Sequence, residues 1–207
     1  MNLALNQFKL IIKDTQQMTT VYEHFNVSIL DDLLRWQWTQ AVSALDKYIH
    51  DIIKIGLIKT FNKEITPTNS FNSFSIPISI IEDSSLVSHA FEQFIVKKLA
   101  FNSYQTAEKI NEGLSLIWTE PHKWQTISIK MGMEKKTLTK KLNLIAQRRN
   151  QIVHQSDYPS FYLEKEKLNP TQTADVISFI DQLVEIIHYE LQSEFTNRKI
   201  IGKGNLR

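Results

Sequence analysis

Residues 29–61 read ILDDLLRWQWTQAVSALDKYIHDIIKIGLIKTF. Leu34, Trp38, Ala41, Leu45, Tyr48, Ile52 and Ile55 recur at steps of three and four residues. On a helical period such spacing collects them into one apolar stripe along a long helix. Asp31 and Asp32 fall in its first turn, where carboxylates favour the helix dipole, and Asn26 and Ser28 supply the break and N-cap before it. Beside the apolar stripe runs a polar one, Thr39, Ser43, Asp46 and His50. A polar stripe commonly just faces water. Here Val42, Ile49 and Ile53 flank Asp46, which places this carboxylate at the edge of buried surface, where it needs a cationic partner such as an arginine.

Outward from that helix the pattern stays helical. Leu3, Phe8, Ile11, Ile12, Met18, Val21 and Tyr22 predict an amino-terminal helix, and residues 1–27 read as a helical extension. Asn62 to Pro77 is polar and reads as a long loop, with Phe71–Phe74 and Ile76–Ile81 as short extended pieces. Helices follow from an N-cap at Ser84 or Ser85 to Leu99, and from Ser103 to Trp118, so residues 62–120 form an insertion. A short helix between His122 and Met131 is expected to send Trp124, Ile127 and Ile129 inward before Gly132 ends it. From Glu134 a long helix turns Leu138, Leu142, Ile145 and Ile152 inward. The last helix, Thr173 to about Phe195, buries Val176, Phe179, Ile180, Leu183, Val184, Ile187 and Leu191, and residues 198–207 form a flexible basic tail.

Five glycines and five prolines in 207 residues suit helices better than a turn-rich β fold. No internal repeat interrupts the chain, so residues 1–207 read as a single all-α domain. The absence of cysteine excludes disulfides, thiolate zinc sites and a cysteine nucleophile, and it fits the cytoplasm. No uninterrupted apolar segment of signal-peptide or membrane-spanning length occurs.

The chemistry gathers at Arg148-Arg149-Asn150-Gln151-Ile152-Val153-His154-Gln155-Ser156-Asp157. Arginine is a permanent cation suited to phosphate oxygens, and histidine moves protons near neutral pH. Lys135, Lys136, Lys140, Lys141, Arg148 and Arg149 approach this stretch with no acid among them. The run is either a solvated face or a phosphate-attracting surface. The six histidines include no metal-binding pair at helical spacing, and neither a glycine-rich phosphate loop nor a Gly-x-Ser-x-Gly elbow is present. On the residues alone two readings stand. One is a helix-terminal pair, with His154 on the C-terminal dipole and Arg149 in a structural salt bridge. The other is a phosphate-binding cation beside a proton carrier.

Residues 148–157 resemble the Arg-x4-6-His motif of the HEPN superfamily, in the form found in its RiboL-PSP-HEPN branch, where Arg-Arg-Asn-x-Ile-x-His-x-x-Asp is typical. Ala41 to Asp51 is similar to that branch's first core helix, and Lys123-Trp124 to the part preceding its motif helix; the resemblance covers most of Ile29 to Ile187. It implies an all-α HEPN-type helical bundle, with the insertion between the first long helix and the motif helix. It further implies a metal-independent, cofactor-free endoribonuclease in a toxin or anti-phage defence role, working as a homodimer in which arginine and histidine from two subunits meet. Carried over by position, His154 is the acid/base group, Arg149 braces the phosphate, and Asn150 is the polar helper. Asp46 would orient Arg149, with His50 and Asp157 supporting and Arg148, Lys140 and Lys141 binding RNA. An antitoxin or defence-system partner belongs to the same expectation. The alternative is a non-catalytic RNA-binding or assembly module of the same fold. A related subgroup carries a modifiable tyrosine two positions after the histidine; here that position is Ser156, so this regulation is not carried over.

One geometric difficulty is built into the motif. Residues five apart lie about 140° apart around an ideal helix, so Arg149 and His154 cannot share a face. Either the helix ends before His154, or the pair works by facing a two-fold mate.

Overall fold

The computed structural model describes residues 1–25, 30–80, 87–158 and 163–199. Its elements are α1 (Asn2–Phe25), α2 (Asp31–Phe61), α3 (Asn69–Asn72), α4 (Val87–Leu99), α5 (Ala107–Ser115), α6 (Lys123–Lys130), α7 (Lys135–Gln155) and α8 (Pro170–Asn197), with a 3-10 turn at Ile78–Ile80. The expected N-caps at Asn26, Ser28, Ser84 and Ser85 fall outside the described residues.

Helix α2 is the hub, packing against α1, α4, α5, α7 and α8. Its predicted stripe is buried from Leu34 to Ile52, while Ile55 is partly covered. Contacts on several sides explain why Val42, Ala44, Ile49, Ile53 and Leu57 are buried as well. Gly56 lies where this hub is most crowded. A Cβ there would meet Ile117 Cγ2 at 2.4 Å and Phe195 Cζ at 2.9 Å. Alanine gains up to about 1 kcal/mol of helix propensity over glycine, but overpacking a tight core costs about 1–3 kcal/mol. Gly56→Ala is therefore expected to lower the urea midpoint, and an unchanged or raised midpoint would contradict this packing.

Helix α1 is a full member of the bundle rather than an extension. Ala4, Phe8, Ile12 and Thr15 are buried on one face. Phe8 packs on Tyr48, with ring centroids 5.8 Å apart, and the Gln37 side-chain amide donates to the Thr15 carbonyl at 2.8 Å. Lys9 pairs with Asp181 and Glu185 of α8 at 2.6 and 2.5 Å.

The helices described within residues 62–120 pack into the core. Phe91, Ile95 and Leu99 of α4 and Ile110 and Leu114 of α5 are buried, and Phe91 stacks on Phe61 at 3.9 Å. The pieces expected to be extended form no strand where described: Phe71 and Asn72 lie in α3, which Thr68 caps by accepting from the Phe71 amide at 3.0 Å, and Ile78–Ile80 form the 3-10 turn. The described backbone contains one isolated antiparallel bridge, Ile65 to Lys199.

Three further expectations shift. Ile129 is exposed, because Trp124, Ile127 and Ser128 take the inward side of the short helix α6. Helix α8 starts at Pro170, which sits at the first position after the Asn169 cap. Arg198 is no part of a loose tail: its guanidinium donates to the Thr66 and Ile117 carbonyls, and its own carbonyl accepts from the Thr66 amide at 3.0 Å. Residues 200–207 are outside the described residues. No described helix is long and apolar enough to cross a membrane.

Candidate active site on the motif helix

Gly132, at φ +63°, makes the left-handed turn that separates α6 from α7. Leu138, Leu142, Ile145 and Ala146 bury one side of α7, and the Trp38 indole donates to the Ile145 carbonyl at 3.1 Å, fixing α7 on α2. The motif lies just beyond this anchor. Helix α7 continues through His154 to Gln155, which removes the first of the two geometric solutions. Arg149 continues the inward stripe and is half-buried; His154 is exposed on the opposite side. Within one chain they cannot close on the same phosphate oxygen from one face.

Ser156 and Asp157 both adopt left-handed backbone, with φ of 50° and 65°. This pair of residues ends α7, and the Asp157 amide reaches back to the Gln151 carbonyl at 3.3 Å. The turn carries the Asp157 side chain inward, where the residue is 2% exposed. Arg35 Nε donates to its Oδ2 at 2.7 Å, and Arg148 Nη2 donates to the same oxygen at 3.0 Å. Arg35 also donates to Asp32 and to the Glu166 carbonyl, and Arg148 is paired with the Glu166 carboxylate. Asp157 thus ties the end of α7 to the start of α2 and to the segment entering α8. With a side chain only 12% exposed and two carboxylate partners, Arg148 is spent on structure.

Arg149 differs. Arg35, Arg148 and Arg198 each have a carboxylate partner, whereas Arg149 has none among the described residues. Its Nη1 donates to Asn150 Oδ1 at 3.2 Å, and its buried Nε finds no acceptor. The expected Asp46–Arg149 pair does not form. Asp46 Oδ1 instead accepts from the Tyr104 amide at 2.6 Å and Oδ2 from the Gln105 side chain at 3.0 Å, while His50 Nδ1 lies 3.4 Å from Oδ1. Its cation is the histidine one helical turn along, so no arginine is required. Burial disfavours the Asp46 carboxylate, but the hydrogen bonds from His50, Gln105 and Tyr104 outweigh it and hold the group below its ordinary value.

His50 is held at both ring nitrogens. Nδ1 donates to the Asp46 carbonyl at 2.8 Å and Nε2 to the Leu99 carbonyl at 3.1 Å, so both carry protons and the ring is an imidazolium. The Asp46 carboxylate, and then the two carbonyls, raise it to about 9 against the desolvating effect of burial. A raised folded value means stability that is complete below about pH 6.5 and is lost as the pH climbs through about 9. Urea midpoints are expected to fall over that window more steeply for the wild type than for His50→Gln. Parallel pH profiles would contradict the assignment.

Two clefts flank α7. One, about 680 Å³, has Lys140, Lys141, Arg148 and Lys167 on its walls, so it gathers three of the expected RNA-binding cations. The other, about 570 Å³, opens at Asn150 and runs over Tyr104 and Gln105. Asn150 thus lines the second cleft, with Arg149 its neighbour on α7 and His154 one turn beyond it, while Asp46 and His50 contact Tyr104 in the cleft floor. Sequence reasoning missed Arg35, Tyr104, Gln105 and Glu166. Arg35 did leave a signal: it shares the inward face with Trp38 and Val42, where a charge is out of place without a buried partner.

A bundle of this order, with an Arg-Asn-x-x-x-His run on the penultimate helix, is a HEPN-type domain. The chain belongs to the RiboL-PSP-HEPN family, whose model matches residues 4–193. That match takes in most of α1, beyond the span from Ile29 to Ile187 over which the resemblance is visible in the residues. No curated protein and no solved structure matches the chain. Membership points to a nuclease or RNA-binding role.

Proposed function

We propose that the protein is a metal-independent endoribonuclease in which two copies of the motif helix complete one site. The observation that carries this reading is Arg149: a half-buried arginine with no carboxylate partner among the described residues, next to an exposed histidine. A structural arginine at that depth would be neutralised as Arg35, Arg148 and Arg198 are. An unneutralised one suits an incoming phosphate.

In this reading the 2′-oxygen of the RNA attacks the adjacent phosphorus and the bond from phosphorus to the 5′-oxygen breaks. His154 of one copy takes the 2′ proton, and the other copy delivers a proton to the departing oxygen. The Arg149 pair stabilises the charge that builds on the phosphorane oxygens. The products are a 2′,3′-cyclic phosphate and a 5′-hydroxyl. Support for self-association comes from Val153, Tyr158 and Leu163, apolar or aromatic side chains exposed around the end of α7, Leu163 to 98%. Lys140, Lys141 and Lys167 provide a basic approach for the backbone. A toxin or anti-phage role in the cytoplasm, with an inhibitory partner, extends the same proposal.

The test is cleavage of single-stranded RNA in EDTA by the wild type, Arg149→Ala and His154→Ala. Cleavage by the wild type alone supports the enzyme. Salt-sensitive RNA binding without cleavage by any of the three moves the protein to the non-catalytic RNA-binding module of the same fold.

A further inference from the structure

The cleft of about 570 Å³ beside Asn150 has a chemistry that phosphate binding does not explain. Its rim bears Phe101, 94% exposed, and Lys109. Its walls bear the side-chain amides of Asn102, Gln105 and Asn150, and its floor is the buried Tyr104. An aromatic ring left almost wholly in water, next to three amides, offers a stacking face and hydrogen-bonding edges together. Those are the two features by which proteins hold an unpaired nucleobase.

The cleft is also preorganised. The Tyr104 ring lies directly over Gly113, where an added Cβ would meet Tyr104 Cε1 at 2.6 Å. The His50 ring packs edge-on against Tyr104 at 4.6 Å. Asn102 donates to the Tyr104 hydroxyl at 3.1 Å, which leaves its carbonyl oxygen for a ligand, and Asp46 takes the Gln105 NH₂ group, which leaves the Gln105 oxygen. Asp46, expected from sequence to orient Arg149, thus pairs with His50 and holds the 100–106 segment.

We infer that this cleft receives one unpaired base of the RNA next to the scissile phosphate, stacked on Phe101 and read by Asn102, Gln105 and Asn150. Asn150 joins the base cleft to the catalytic face, since its Oδ1 accepts from Arg149 and its position lies one turn before His154. The basic cleft on the other side of α7 lacks this link: none of its lining residues is Arg149, Asn150 or His154.

The inference rests on the RNA-cleaving reading, and two measurements separate their failures. Ultraviolet crosslinking of a short randomised single-stranded RNA to the His154→Ala protein should place adducts on the tryptic peptide Leu99–Lys109. Phe101→Ala in that background should weaken binding of the same RNA about tenfold, the order expected for one base–aromatic stack, and Phe101→Trp should restore it. In the cleaving protein, Phe101→Ala should also blur the base preference beside the cut. Adducts confined to peptides carrying Lys140, Lys141 or Lys167, with unchanged affinity in Phe101→Ala, would overturn the base cleft. It would fall even if the wild type cuts RNA. Adducts on Leu99–Lys109 in a protein that never cuts would leave the cleft standing and remove the nuclease.

Discussion

Asp157→Ala is expected to cost about 3–5 kcal/mol of folding stability, the range for removing one partner from a buried ion pair. The loss is not that of one salt bridge. Arg35 and Arg148 converge on the same carboxylate from two helices, and without it both guanidiniums stay buried with only Asp32 and Glu166 to answer them. Asp157→Asn separates charge from backbone. Asparagine tolerates the left-handed backbone that Asp157 adopts at φ 65°, so its smaller loss reports the charge alone. Urea denaturation at constant pH measures both. A loss under about 1 kcal/mol for the alanine variant would mean that the network is surface decoration. The cleft-facing flank should suffer with it, because Asp157 closes the helical turn that carries His154.

His154→Ala and Arg149→Ala are expected to reduce RNA cleavage by about two to four orders of magnitude each while leaving urea midpoints nearly unchanged. General acid–base catalysis contributes about 10²–10⁴ in rate, and one charge-stabilising donor about 10²–10³. The contrast with Asp157 is the useful part. Three residues of one ten-residue motif separate into an exposed histidine, a cation with no carboxylate partner among the described residues and a buried structural anion. Midpoints that fall sharply for Arg149→Ala would assign that arginine to the core instead. The expected cleavage is also steep in protein concentration below the dimerisation range, since the proposal gives one chain half a site.

Much of the bundle was legible because its helices are strongly periodic. The Leu34–Ile52 stripe and the apolar side of α8 needed only the 3.6-residue repeat. What stayed hidden required knowledge of neighbours. Spacing showed that Asp46 sits at a buried edge, but which cation meets it depends on where α7 lies; the local partner at i+4 was sufficient. Arg148 and Arg149 are adjacent and chemically identical in sequence. The 100° step between them sends one towards Asp157 and Glu166 and leaves the other without an acid among the described residues. The role proposed for residues 100–106 was equally invisible, because Phe101 and Asn102 read as a connection and Gln105 as the start of the next helix until α7 brings Asn150 beside them.

The central claim is that Arg149 and His154 are the working half of a two-chain nuclease site. It is tested most directly by sequencing RNA ends produced in EDTA by purified wild type and His154→Ala protein. The account predicts new 2′,3′-cyclic phosphate and 5′-hydroxyl ends with the wild type and none with the variant. Ends of the same kind and number from both proteins would contradict it.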